Sequence, residues 1–256
     1  MTVRRRALGE EIVRRGFAVA DEVVGLLGAN RVRVNGAVVT NPGSLVAPDD
    51  DIVVIAAPST YVSRGGTKLA GALNAFGINV VGRRCVDAGA STGGFTDCLL
   101  QRGAVHVVAI DTGRGQLHQR LVTDPRVTSW EATNVLDVTP ERLGALEGYG
   151  TGAGMIVADL SFTSSARLAA HLAALAAGEA DLVVLVKPQF EAPRSEVPRG
   201  GVVTDEGVQS RAVDAVRGAL VGAGCEVLGV CESPITGSEG NREFFVWGRA
   251  HTGGSQ

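Results

Sequence analysis

Only two lysines, Lys68 and Lys187, occur among the 24 basic residues of this 256-residue chain, so every other fixed positive charge is carried by arginine. The difference is chemical. A guanidinium stays protonated under ordinary conditions, whereas burial or a neighbouring cation can lower the pKa of an ammonium until it takes up a proton as a base. Lys68 lies in Ser63-Arg64-Gly65-Gly66-Thr67-Lys68-Leu69, and Lys187 closes the apolar run that follows Asp181. Two acids occupy comparable places: Asp159 in Ala158-Asp159-Leu160-Ser161-Phe162 and Glu243 in Gly240-Asn241-Arg242-Glu243-Phe244-Phe245. A core pattern needs no charge at these run ends. Two amines and two carboxylates form a Lys-Asp-Lys-Glu set suited to moving a proton and orienting a nucleophile.

A second group of residues speaks of a ligand. Asp87-Ala88-Gly89-Ala90-Ser91-Thr92-Gly93-Gly94-Phe95-Thr96 follows an apolar run and opens a helical pattern. Glycines there let the backbone approach a ligand, and the helix start presents free N–H groups. The GxGxxG dinucleotide spacing fails because position 91 is serine. An aspartate ahead of the glycines suits a ligand with an amino group, as in S-adenosylmethionine. The next apolar run ends at Asp111, where a carboxylate can bind both ribose hydroxyls.

The elements that must position these residues follow from periodicity. Apolar runs at Cys85 to Ala88, Val105 to Ile110, Met155 to Ala158, Leu182 to Val186, Glu226 to Val230 and Phe244 to Trp247 read as strands, with helical patterns between most of them. Continuous rather than alternating apolar strands predict an α/β fold with a mostly parallel sheet covered on both faces. Ligands in such sheets bind outside the carboxyl ends of the strands. The last run follows its predecessor through a glycine- and serine-rich turn without a helix, so the last strand is expected to run antiparallel and to bring Glu243 in by its amino end. Ser165 to Ala177 is expected to be one helix that Gly178 ends.

Ahead of this region the pattern changes. Leu8, Ile12 and Val13, then Val23, Val24, Leu26 and Leu27, recur at helical spacing, Arg31 to Val39 alternates around Asn35-Gly36 as a hairpin, and Ile52 to Ile55 reads as a further strand. The expected organisation is a small α+β domain over 1–57, a linker at 58–62, the large domain over 63–250 and a disordered tail at 251–256. The net charge of −3 argues against a protein that coats nucleic acid through bulk charge. In residues 1 to 60, however, seven arginines cancel seven acids while Asp49, Asp50 and Asp51 sit in one turn, which leaves room for a basic face. Cysteines 85, 98, 225 and 231 have no CxxC spacing, so neither a metal site nor a disulfide framework is expected. No signal peptide opens the sequence and no apolar stretch reaches membrane-spanning length, so a cytoplasmic protein with no membrane association is expected.

On these residues the chain resembles the TlyA family, once called hemolysin A, of ribosomal RNA cytidine 2′-O-methyltransferases. The resemblance is carried by Ser63 to Leu69, Asp87 to Thr96, Asp159 to Phe162, Lys187 to Glu191, Gly200-Gly201-Val202-Val203 and Gly240 to Phe245. It implies a Rossmann-like methyltransferase domain similar to the FtsJ-type enzymes, with a mostly parallel seven-stranded sheet. The FtsJ-type catalytic tetrad would fall on Lys68, Asp159, Lys187 and Glu243. Lys187 would be the base, its pKa lowered by burial and by Lys68, with Asp159 and Glu243 orienting the amines and the 2′-oxygen. S-adenosylmethionine would have its methionine end lined by Asp87, Gly89, Ser91, Gly93 and Gly94, with Phe95 beside them, its ribose held by Asp111 and its adenine edge by Asn134.

The first sixty residues look like the RNA-binding domain named after ribosomal small-subunit protein four, although Ala20-Asp21 stands where that domain commonly has Ser-Arg. Arg4, Arg6, Arg14, Arg15, Arg31, Arg33 and Arg64 are the candidate RNA contacts. The partners implied are ribosomal RNA or ribosomal subunits, approached by a monomer, and no metal is implied. The competing expectations are a non-catalytic RNA-binding or ribosome-assembly module and a membrane-lysing hemolysin.

Overall fold

Residues 5–55 and 60–251 are described by a computed structural model. The chain divides into two compact units between Ser59 and Thr60. Residues 58–59 of the expected linker and 252–256 of the expected tail lie outside the described residues.

In the first unit, β1 (Arg6–Ala7) leads into α1 (Leu8–Arg14) and α2 (Ala20–Gly28), followed by β2 (Val32–Val34), β3 (Ala37–Val38), β4 (Leu45–Val46) and β5 (Ile52–Val54). The hairpin forms where Asn35-Gly36 predicts it. Both residues take left-handed φ values, 50° and 82°, as a two-residue turn matched to strand twist requires. The three-stranded sheet has the order β3-β2-β5, while β1 pairs with β4 over two residues, too few to show a period. Val23, Leu26 and Leu27 of α2 turn inward onto Leu8 and Ile12. Val24, expected on the same stripe, is 71% exposed: the inward face of α2 is centred on Val23, Leu26 and Leu27, and Val24 falls beyond its edge.

The second unit opens with α3 (Arg64–Phe76) and continues β6 (Arg84–Ala88), α4 (Gly94–Gln101), β7 (His106–Ile110), α5 (Gln119–Val122), β8 (Val127–Trp130), α6 (Pro140–Gly144), β9 (Ala153–Ala158), α7 (Ser165–Ala174), β10 (Ala176–Val186), α8 (Pro188–Glu191), α9 (Glu206–Gly222), β11 (Cys225–Glu232) and β12 (Phe244–Ala250). Its seven-stranded sheet has the order β11-β12-β10-β9-β6-β7-β8. β12 is antiparallel to both neighbours, and the other pairings are parallel. This is the expected α/β fold. Alternate strand residues feed two cores. Val86, Val108, Ile156 and Val184 pack with α7 and α9, and Cys85, Val107, Met155 and Val183 pack with α3 and α4.

One strand is unannounced in the sequence and one expectation fails locally. The edge strand β8 has half-buried, partly polar residues and gives no apolar run. The alanine-rich helix stops at Ala174 rather than at Gly178, because Ala153 N–H donates to Leu175 O (2.9 Å) and β10 begins at Ala176, paired with Ala153. The register then shifts before Asp181, with Glu179 at φ 61°.

Asp181, 1% exposed, anchors the sheet edge opposite the strand carboxyl ends. Burial alone would raise its pKa, yet hydrogen bonds from Arg83, Trp247 and Arg249 outweigh burial and hold it low. Asp181→Ala would leave these donors without their shared acceptor. The expected loss is roughly 3 kcal/mol in urea unfolding; an unchanged midpoint would show that the network contributes nothing.

Candidate active site

Register brings the charged set together. β9 and β10 pair Ala158 with Val184, and β10 and β12 pair Val186 with Phe244. Asp159, Lys187 and Glu243, each one residue beyond these strands, therefore reach the same sheet edge. Lys68 arrives from α3, whose Leu69, Ala72 and Leu73 pack on the sheet. Two ion pairs result: Lys68 Nζ to Glu243 Oε2 at 2.5 Å, with both side chains at most 9% exposed, and Lys187 Nζ to Asp159 Oδ1 at 2.7 Å. All four residues line one cavity of about 590 Å³.

A second cavity of about 450 Å³ shares Gly89, Ser91, Asp159, Ser161 and Phe162 with the first and continues to Asp111 and Asn134. Gly89 stands where the two cavities meet. Its φ is +85°, and a Cβ there would fall 2.4 Å from Asp159 O, so only glycine lets the ends of β6 and β9 approach this closely. Ser91 N–H donates to Asp111 Oδ2 (2.8 Å) and Gly113 N–H to Oδ1 (2.7 Å), so this carboxylate braces the glycine loop from the cavity wall. Asn134 Oδ1 accepts from Leu136 N–H (3.1 Å), capping a short turn on the same wall.

Not every expected lining residue faces the cavities. Gly94 does, and its missing side chain also admits Ser63 Oγ, which would lie 2.2 Å from a Cβ. Phe95 lines the first cavity with its ring 6.0 Å from that of Phe245. Gly93 instead faces Leu117 and Leu121, making room for α5. Asp87 is fully buried behind the loop, where Oδ2 accepts from Thr96 N–H (2.8 Å) and Oγ1–H (2.6 Å). Its Oδ1 has no hydrogen-bond partner among the described residues. Burial, with smaller contributions from the charges of Asp159 and Asp111, pushes the Asp87 carboxyl up to about 7 against the Thr96 hydrogen bonds. Three carboxylates thus surround one loop, an arrangement that fits a cationic ligand and opposes an anionic one. Among the described residues no cluster of His, Cys, Asp or Glu is arranged to hold a metal.

The candidate RNA contacts divide. Arg64 lines the first cavity and donates to Thr236 O at 2.6 Å. Arg15 is tied to Glu11 and to Asp50 O, Arg31 to Ile55 O and Arg33 to Gly36 O. Arg14 also pairs with Glu11, whose carboxyl is held down to about 2, chiefly by the Arg14 hydrogen bond and then by that of Arg15. Arg6 is exposed, and Arg4 lies outside the described residues.

Three residues were not legible as site residues. Ser161 Oγ accepts from Lys187 Nζ at 2.8 Å; the sequence places it within the Asp159 to Phe162 stretch without assigning it a role. A Cβ on Gly237 would fall 2.6 Å from Glu243 Oε1, which nothing in the sequence announces. Phe162 is 92% exposed at φ +62°, with its ring 5.5 Å from that of Phe190 at the cavity mouth. Strained backbone of this kind concentrates at working sites.

Residues 61–250 match the model of the FtsJ-like methyltransferases. The chain belongs to the FtsJ-like methyltransferase family. It is 45% identical over 251 residues to the 16S/23S rRNA (cytidine-2′-O)-methyltransferase TlyA of Mycobacterium tuberculosis, covering 97% of this chain and 91% of that protein. It is also similar to a solved structure described as a hemolysin from Streptococcus thermophilus, 31% identical with a TM-score of 0.72, covering 98% of this chain and 90% of that one. The fibrillarin of Aeropyrum pernix, solved with natively bound S-adenosyl-L-methionine, shares the fold, with 15% identity, a TM-score of 0.50 and coverage of 85% and 94%.

The raised Asp87 carboxyl sets a pH dependence. As pH rises from the ordinary carboxylate value of 3.8 to about 7, the folded chain retains a proton that the unfolded chain has released, so this group makes folding steadily less favourable across the window and contributes a constant cost above it. Asp87→Asn, which cannot ionise, removes this dependence. The wild-type melting temperature is expected to fall relative to Asp87→Asn between those two pH values; a difference independent of pH would contradict the assignment.

Proposed function

We propose that the chain transfers the methyl group of S-adenosylmethionine to the ribose 2′-oxygen of cytidine in ribosomal RNA. The observation that carries this reading is the pairing of Lys187 with Asp159 and of Lys68 with Glu243 in one cavity, continuous with a second cavity walled by Asp111 and Asn134. Both volumes fall in the range of small-molecule sites. The kinship with an enzyme named for ribosomal RNA cytidine 2′-O-methylation supports the substrate class.

S-adenosylmethionine supplies a methyl group already made electrophilic by its sulfonium, so the protein has to orient two partners and remove one proton. Lys187 takes the proton of the 2′-hydroxyl as the oxygen–methyl bond forms and the methyl–sulfur bond breaks, its electron pair remaining on sulfur. Asp159 and Ser161 aim the Lys187 amine. Lys68 and Glu243, fixed by each other, hold the ribose oxygen in line. Gly89, Ser91, Gly94 and Phe95 border the methionine end, while Gly93 shapes the same turn and Asp87 acts from behind it through its charge. Asp111 holds the donor's ribose with the lone pairs its two backbone bonds leave free, and Asn134 meets the adenine edge.

The first unit serves as the S-four-like RNA-binding domain, with Arg4, Arg6, Arg14, Arg15, Arg31 and Arg33 as its basic contacts and Arg64 at the catalytic mouth. In this reading a monomer acts in the cytoplasm on ribosomal RNA within subunits of one or both sizes. No helix among the described residues is long and apolar enough to cross a membrane, and no observation here favours the lytic or non-catalytic readings.

Tritium transfer from labelled S-adenosylmethionine into ribosomal subunits, followed by ribose-methylation mapping, tests the proposal. Lys187→Ala is expected to lower the rate by about 10²- to 10⁴-fold with donor binding retained. Equal incorporation by the variant would remove Lys187 from the mechanism, and modification of a base instead of a ribose would overturn the reaction type.

A further inference from the structure

A third cavity, of about 850 Å³, opens beside the catalytic one and shares Phe162, Gln189 and Phe190 with it. Arg167 and Arg194 also line it. Both are exposed, and among the described residues neither guanidinium makes an ion pair or a hydrogen bond. Several other arginines of the second unit are engaged, with Arg83 and Arg249 on Asp181, Arg120 on Asp97 and Arg126 on Asp124.

Arg167 is also placed against local preference. It sits in the first turn of α7, where the helix dipole disfavours a cation. The start of that helix already holds a carboxylate: Glu191 accepts from Ser165 N–H and from Ser164 Oγ–H, both at 2.6 Å, while Arg167 N–H donates to Ser164 O. The same contact staples the loop after β9 to α8 and so fixes the two walls that carry the arginines. Two unpaired guanidinia therefore face a cleft that leads directly from the catalytic cavity across a pair of aromatic rings. Glu191 is the one carboxylate lining the cleft and is already held by Ser164 and Ser165, so the two guanidinia outweigh it; a basic groove with aromatic edges is the arrangement that tracks a single-stranded nucleic acid backbone.

We propose that this cleft carries the RNA strand on one side of the target nucleotide, with Arg167 and Arg194 each neutralising a phosphate. The assignment rests on the ribose-methyl-transfer reading and extends it to a contact surface outside the first unit. Phosphates held this way are sensed as point charges, so lysine is an adequate substitute for arginine there.

The test is the salt dependence of binding to protein-free ribosomal RNA, compared among wild type, Arg167→Ala/Arg194→Ala and Arg167→Lys/Arg194→Lys. Loss of two phosphate contacts is expected to make the slope of log affinity against log salt shallower by about 1.4, roughly 0.7 per phosphate on a single strand. The lysine pair is expected to restore the slope, and binding of S-adenosylmethionine is expected to be the same in all three proteins. An unchanged slope in the alanine pair, with wild-type methyl transfer intact, would overturn the cleft assignment alone. A defect that appears with intact ribosomal subunits and not with protein-free RNA would overturn it in favour of a ribosomal protein contact. Absence of methyl transfer by the wild-type chain would overturn the functional reading and the cleft with it.

Discussion

The close approach of two parallel strand ends, β6 and β9, is the constraint on which the site depends. Gly89 makes it possible, since any Cβ would strike the carbonyl of Asp159. With the approach in place, the glycine loop lies against the residue that pairs with Lys187, and the two cavities become continuous. The sheet order reverses at the same two strands, which is where open α/β sheets place their ligands. The second ion pair then follows from one antiparallel strand: were β12 parallel, Glu243 would lie at the far edge, and the buried Lys68 amine would have no carboxylate.

Charge is distributed with equal consequence. At the far edge of the sheet Asp181 gathers Arg83, Arg249 and Trp247 into a network that is satisfied and structural. At the site edge three carboxylates crowd one loop, one of them with an orphaned oxygen, and the nearby Arg167 and Arg194 are left unpaired. The site edge keeps unpaired charge beside its two ion pairs, whereas the buried Asp181 at the far edge is fully partnered.

Much of this was legible in the sequence, for a physical reason. Strands buried on both faces are continuously apolar, so a lysine or an aspartate at the end of such a run stands out, and the rarity of lysine sharpened the signal. The glycine loop was legible because tight approach requires glycine. What the sequence hid is what depends on long-range register. The strand β8, on a half-exposed edge, carries no apolar run. The alanine-rich segment after Ala174 became strand because β9 captured it. Gly93 proved to serve α5, and Asp87 to sit behind the loop, because two neighbouring glycines or two acids cannot be told apart until their faces are known. Val24 shows the same limit on a helix.

The paired amines and carboxylates act as a single device, and a double-mutant cycle on Asp159 and Lys187 tests that most directly. Single-turnover methyl transfer would be measured for Asp159→Ala, Lys187→Ala and the double variant, each saturated with donor. If Asp159 acts by aiming the Lys187 amine, the double variant is expected to be no slower than Lys187→Ala alone, because the aimed group is already gone. Losses that simply multiply would mean that the two residues act independently, and the convergence of charges at this sheet edge would not be the catalytic arrangement.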